Sequence, residues 1–121
     1  MERPHFRFED LDVWRLAQEL AIRFYHVADD LEQKKLFRYA EQIRAAGLSV
    51  PNNIAEGSAS LHAKEFQQFL NIARRSVFEN VSMVLTFEAM SLLESRDADE
   101  LLEKCDELSR KITNYTRSMH A

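Results

Sequence analysis

The sequence predicts an all-α fold, an antiparallel up-down-up-down four-helix bundle with a proline-kinked second helix. Apolar residues recur at alternating spacings of three and four along four successive segments, which places each set on one helical face. The breaks between segments are only a few residues long, and short connections make sequential helices antiparallel neighbours. Two glycines and two prolines in 121 residues leave little of the punctuation that sheets require.

The first helix carries Val13, Ala17, Leu20, Phe24, Val27 and Leu31 on its apolar stripe. The second carries Leu36, Ala40, Ile43, Gly47, Val50, Ile54 and Gly57. The third carries Phe66, Leu70, Ala73, Val77, Asn80, Val84 and Phe87, and the fourth Ala98, Leu101, Cys105, Leu108, Ile112, Tyr115 and Met119. Breaks fall at Gln33 to Lys35, Gly57 to Ala63 and Glu94 to Arg96. Ser60 is a candidate cap for the third helix, and Asp97 with Glu100 has the spacing of a capping box for the fourth. Acidic residues early in the fourth helix and Arg110, Lys111 and Arg117 late in it complement the helix dipole. Residues 1–121 read as one domain. Its first eight residues form an arm whose Phe6 and Phe8 are available to pack on the bundle end.

Pro51 sits inside the second stripe. A proline there removes one backbone hydrogen bond and presses on the carbonyl four residues back, at a cost of about 3 kcal/mol. That residue is Gly47, whose missing side chain gives the helix room to bend. The unbroken periodicity predicts one kinked helix rather than two helices divided at Val50–Pro51. Carbonyls freed near Gly47 and Leu48 need partners, and Asn52 and Asn53 are the nearest candidates.

A further stripe of small or uncharged residues flanks the second helix: Gln42, Ala45 or Ala46, Ser49, Asn52 or Asn53, then Glu56. The third helix has a counterpart in Phe69, Ile72, Ser76, Glu79, Met83, Thr86, Met90 and Leu93. Neighbouring stripes lie about 100° apart. Such a wide face either broadens the core seam or packs against another subunit. In the second case Phe69, Ile72, Met83 and Met90 anchor an oligomer interface. Gln42, Arg44, Ser49, Asn53, Glu56, Ser76 and Glu79 form the candidate polar network that fixes helix register or subunit orientation. Taking the turn centre near Ser60, antiparallel pairing sets Glu79 level with Gln42 and Arg44. Asn80 is the lone amide on an apolar stripe and is a candidate register-setting group.

Gln42-Ile43-Arg44-Ala45-Ala46 followed by Ser49-Val50-Pro51-Asn52-Asn53-Ile54-Ala55-Glu56-Gly57 resembles the signature of a four-helix-bundle family, the ribosomal-RNA intervening-sequence proteins. Phe8 to Trp14 and Glu65 to Ser76 extend the resemblance over essentially the whole chain. It departs at Arg75, where glycine is usual, and at Phe78, where a smaller residue is common. The resemblance implies a ring-forming bundle, typically a homopentamer, with no known catalytic activity. A distant relative from diversity-generating retroelements is a basic pentamer that contacts nucleic acid. This chain instead has a formal net charge of −4.

Chemistry needs convergent groups, and the sequence offers few. His5, His26, His62 and His120 lie on separate segments, without metal-ligand spacing. Cys105 falls on a core stripe, so it reads as a small buried residue, and as the lone cysteine it fits a reducing cytosol. No catalytic residue, cofactor or metal is expected. No run approaches the roughly 18 apolar residues of a membrane span, and a soluble cytoplasmic protein is expected. Partners are then copies of the chain itself, or RNA or another protein. For RNA the candidate patch is Lys64, Arg74 and Arg75, with Lys34, Lys35 and Arg38 at the first turn. Aromatics lie mostly in the core stripes, leaving few for base stacking.

Overall fold

The structure is a computed structural model that describes residues 2–119; His120, one of the four histidines, lies outside them with Met1 and Ala121. It is all-α. Four long helices, α1 (Asp12–Gln33), α2 (Phe37–Ser58), α3 (Ala63–Ala89) and α4 (Ser95–Ser118), follow a short 3-10 turn at Arg7–Asp10. Each helix packs on the next, and α1 also packs on α4, while neither diagonal pair meets. The helices therefore surround one core, as a bundle requires. All seven apolar-stripe positions of α3 are buried, including Asn80. Of the other stripes only Val27, Leu36, Tyr115 and Met119 are partly exposed, and these pack against the core margin.

The chain turns without glycine at all three of its corners, two of them through a left-handed residue. Lys35 (φ 63°) and Ser91 (φ 61°) both adopt the left-handed conformation. The amide of Lys35 bonds the Glu32 carbonyl and that of Leu36 the Leu31 carbonyl, at 2.8 and 2.9 Å. After α3, Ser91 bonds Glu88 and Leu92 bonds Phe87, at 2.9 and 2.8 Å. Both are Schellman endings, with an apolar residue (Leu36, Leu92) returning to the last turn. The second ending stops α3 at Ala89, earlier than the sequence suggests, so Met90 is its C-cap and Leu93 lies in the connection.

Two capping expectations are corrected. α4 begins at Ser95 with Glu94 as N-cap, which moves Asp97 into the first turn. There it complements the dipole but caps nothing. α3 is preceded by His62, and the Ser60 hydroxyl instead accepts the His62 amide at 3.1 Å, forming a local turn. The arm is tied to the bundle by Arg7, which donates to the Ser58 carbonyl at 3.2 Å and lies over the Phe66 ring. Phe8 packs on Trp14 with ring centroids 4.9 Å apart, and Phe6 stacks on Phe8 while remaining exposed.

Helix α2 runs unbroken through Pro51, which is buried. The two glycines of α2 set how closely its neighbours approach. A Cβ at Gly47 would lie 3.2 Å from the Phe24 Cβ of α1, and one at Gly57 would lie 2.5 Å from the Phe69 Cβ of α3. Gly47 therefore admits Phe24, a neighbour the sequence argument about Pro51 did not foresee. Gly57→Ala forces α3 away from α2, because the first atom met is rigidly attached to backbone; overpacking of this kind costs about 1–3 kcal/mol. Gly47→Ala meets a looser contact and gains about 1 kcal/mol of helix propensity. Thermal denaturation of both variants is expected to show Gly57→Ala melting clearly below Gly47→Ala; equal melting temperatures would contradict this account of the packing.

Candidate functional site

The polar positions of the second stripe divide between two neighbours of α2. On the α3 side, the Ser49 and Ser76 hydroxyls are hydrogen-bonded at 2.9 Å. Asn53 donates to the Ser49 hydroxyl at 3.1 Å and to the Ser49 carbonyl at 2.8 Å. The amide thus serves a carbonyl just past those that Pro51 affects. These three residues form a compact polar strip where the two backbones lie close, and every partner is within the chain.

On the α1 side, Arg44 donates to Asp29 at 3.0 Å and to Glu32, with its guanidinium 5.2 Å from the centre of the Tyr25 ring. The hydrogen bond from Arg44 is the main influence holding the Glu32 carboxyl below its ordinary range, against a smaller opposing effect of desolvation. The expected pairing of Glu79 with Arg44 or Gln42 is not formed. Arg44 lies on the α1 flank of α2, whereas Glu79 is exposed and has no hydrogen bond or ion pair among the described residues. Gln42 and Glu56 are exposed as well. Five residues apart, Arg44 and Ser49 lie about 140° from each other around α2, which sends them to different neighbours.

The candidate interface residues also separate. Phe69 and Met83 are half-buried: Phe69 rests on Gly57, and Met83 packs on the core margin. Ile72 and Met90 remain more than 40% exposed. The larger apolar opening lies elsewhere. Between α1 and α2 runs a groove of about 530 Å³ lined by Trp14, Ile22, Tyr25, Arg44, Leu48 and Pro51 among others. Ile22, Tyr25 and Leu48 are each just over half exposed. Sequence reasoning missed Ile22 and Leu48 because neither belongs to a stripe sustained along its helix.

Of the cationic candidates, Lys64 and Arg75 are exposed. Arg74 lies over the Phe78 ring at 5.0 Å, and its Nε is buried with no hydrogen-bond partner among the described residues. It lines the cleft between α3 and α4 together with Arg117, a residue the sequence marked only as a dipole complement. Buried Asn80 is likewise not fully satisfied, since its Oδ1 has no partner among the described residues. Cys105 is buried and its thiol is pushed up to about 12 by desolvation. It is therefore protonated at neutral pH and no nucleophile. No helix among the described residues is long and apolar enough to cross a membrane.

Comparison with protein families agrees with this four-helix architecture. The model of the 23S rRNA-intervening sequence proteins matches residues 9–114. The chain belongs to the 23S rRNA-intervening sequence protein family. The matched span runs from the 3-10 turn into the last turns of α4, so the groove between α1 and α2 and the strip Ser49–Asn53–Ser76 lie on the part shared with that family. Comparison with curated proteins gives no match.

The Arg44 ion pairs make a pH prediction. Glu32 has a depressed folded-state pKa, so its contribution to stability is complete above the unfolded value and is lost as pH falls through the folded one. Asp12 beside Arg15 and Glu19 beside Lys104 act in the same direction. Melting temperature should fall as pH drops below about 4.3, the ordinary glutamate range. Glu32→Gln should flatten part of that fall, and parallel curves for the two proteins would show that the pair contributes nothing.

Proposed function

We propose that the protein is a non-enzymatic assembly unit, whose copies join into a ring and serve as a scaffold or adaptor. The observation that carries this reading is the open apolar groove between α1 and α2, with Ile22, Tyr25 and Leu48 turned outward. A bundle of this size gains nothing from leaving such side chains in water unless something covers them. Ile72 and Met90 present apolar surface on a different helix, α3. Contact between unlike patches is heterologous and generates a ring when its rotation closes; the family resemblance supports five copies. Cytoplasm is the compartment we assign, on the unpaired buried thiol of Cys105. The proposal contains no reaction, cofactor or metal.

Within each subunit we take the helices to alternate in direction. Arg44 meets Asp29 and Gly47 meets Phe24, so numbers rise on one helix as they fall on the other. Ser49 with Ser76 and Gly57 with Phe69 do the same for α2 and α3, and Glu19 with Lys104 and Arg23 with Glu100 for α1 and α4. The missing Pro51 amide supports a bend in α2 near Gly47.

Replacing Ile22 and Leu48 together with aspartate tests the assembly. Both side chains are half exposed, so the subunit should keep its helical circular dichroism while sedimentation shifts to the 14.2 kDa single chain. An unchanged sedimentation profile would count against the groove as an interface.

A second reading is association with ribosomal RNA or its processing. It is supported by the name of the matched family and by Lys64, Arg74 and Arg75, none of which is ion-paired among the described residues. Structured RNA should be retained at low salt and released steeply as salt rises; no retention at low salt would remove this reading.

A further inference from the structure

The chain is acidic overall, but its carboxylates are unevenly placed. Residues 66–78 of α3 contain none, and neither do residues 108–118 of α4. These two stretches face each other across a cleft of about 320 Å³ lined by Leu70, Asn71, Arg74, Ile112, Thr113, Thr116 and Arg117. They carry Arg74, Arg75, Arg110, Lys111 and Arg117. Arg110 is bound to Asp106 at 2.6 Å, whereas Arg74 and Arg117 have no carboxylate partner among the described residues. Several cations elsewhere on the bundle wall are paired: Arg23 with Glu100, Arg44 with Asp29 and Glu32, Lys104 with Glu19.

Arg74 is the unusual member. Its guanidinium lies over the Phe78 ring, and its Nε–H is shut off from solvent without an acceptor among the described residues. A donor left in that state costs about 1–3 kcal/mol. Complementing a helix dipole explains the position of Arg117 at the end of α4, but it does not explain a sealed, unpaired donor in the middle of α3. An oxyanion in the cleft would explain it. The Nε–H and one Nη–H of a guanidinium form a fork that matches two oxygens of a phosphate, and such charge-assisted bonds are roughly twice as strong as neutral ones. Arg74 is among the residues that line the cleft, so its guanidinium borders the space such a group would occupy. Asn71 supplies an amide donor and Thr116 a hydroxyl, so charged and neutral donors line both walls.

We infer that the α3–α4 cleft binds a phosphate group between Arg74 and Arg117, with Asn71 and Thr116 as neutral donors. The site is independent of the assembly reading. It rests on the RNA reading only for the source of the phosphate, which is either a backbone phosphodiester of RNA or a free or terminal phosphate.

The test is a titration of the full chain, followed by nitrogen-resolved NMR, with inorganic phosphate and with sodium chloride at matched ionic strength. Phosphate should shift the Arg74 Nε–H and Thr116 amide signals beyond the chloride control. Arg74→Gln and Arg117→Gln should each weaken phosphate binding about tenfold, and Arg96→Gln, exposed at the opposite end of α4 from the cleft, should leave it unchanged. Should Arg74→Gln fail to fold, Arg117→Gln alone decides. Signals that move no further than in chloride, or affinity unaltered by the Arg117 change, would overturn the site. Competition by a short RNA without terminal phosphates identifies the phosphodiester as the source. Competition by phosphomonoesters alone keeps the site and removes the RNA reading. RNA binding and phosphate binding both indifferent to the two arginine variants keep the RNA reading and remove the site.

Discussion

The close approach of α3 to α2 at Gly57 is the constraint on which the rest of the structure depends. There is no space for even a methyl group there, because the Phe69 Cβ already occupies it. One turn of glycine contact lets the Ser49 and Ser76 hydroxyls meet directly higher up, and it leaves room on that side for nothing longer. Gly47 does the same, less tightly, for Phe24 on the opposite flank. Helix α2 is thus held on both sides, and a proline within it is tolerated because packing rather than the backbone ladder sets its position.

This tight seating decides where the surplus apolar surface goes. Gly47, Ser49 and Gly57 of α2 are used inside the subunit, so they are not free to receive another copy. Leu48, pointing between the α2 stripes, and Ile22 across from it on α1 stay in solvent and border the groove. The Arg44 pairs with Asp29 and Glu32 tie the same two helices together, with Arg44 also over Tyr25 at the groove wall. The geometry that stabilises the subunit therefore leaves one apolar face uncovered. At the α3–α4 side the neighbours are less closely matched, and the cleft holding Arg74 and Arg117 remains.

Much of the fold was legible in the sequence. The buried positions follow the three-and-four spacing through all four helices, from Val13 to Ile112, since a strong periodic signal needs no knowledge of neighbours. The corners were less legible. Lys35 and Ser91 occupy left-handed positions where glycine is the usual signal, so the ends of α1 and α3 carry no compositional mark. Capping at Ser60 and Asp97 was misread because local spacing does not say which residue begins the helix. The site was legible only in part. Ser49 and Asn53 of the α2 stripe come together with Ser76 of its α3 counterpart, as the matching of the two stripes suggests. Arg44 and Glu79 do not, because a single step around α2 turns Arg44 toward α1. Arg117 was invisible as a partner of Arg74, since the two are distant in the chain and only the bundle sets them on one cleft.

The central claim is that a subunit seated this tightly on α2 cannot cover its own groove and is completed by further copies of itself. The mass of the unaltered chain in solution, measured by light scattering across a range of concentrations, tests it most directly. The account predicts a fixed multiple of the 14.2 kDa chain that persists on dilution. A mass of one chain at every concentration would contradict it.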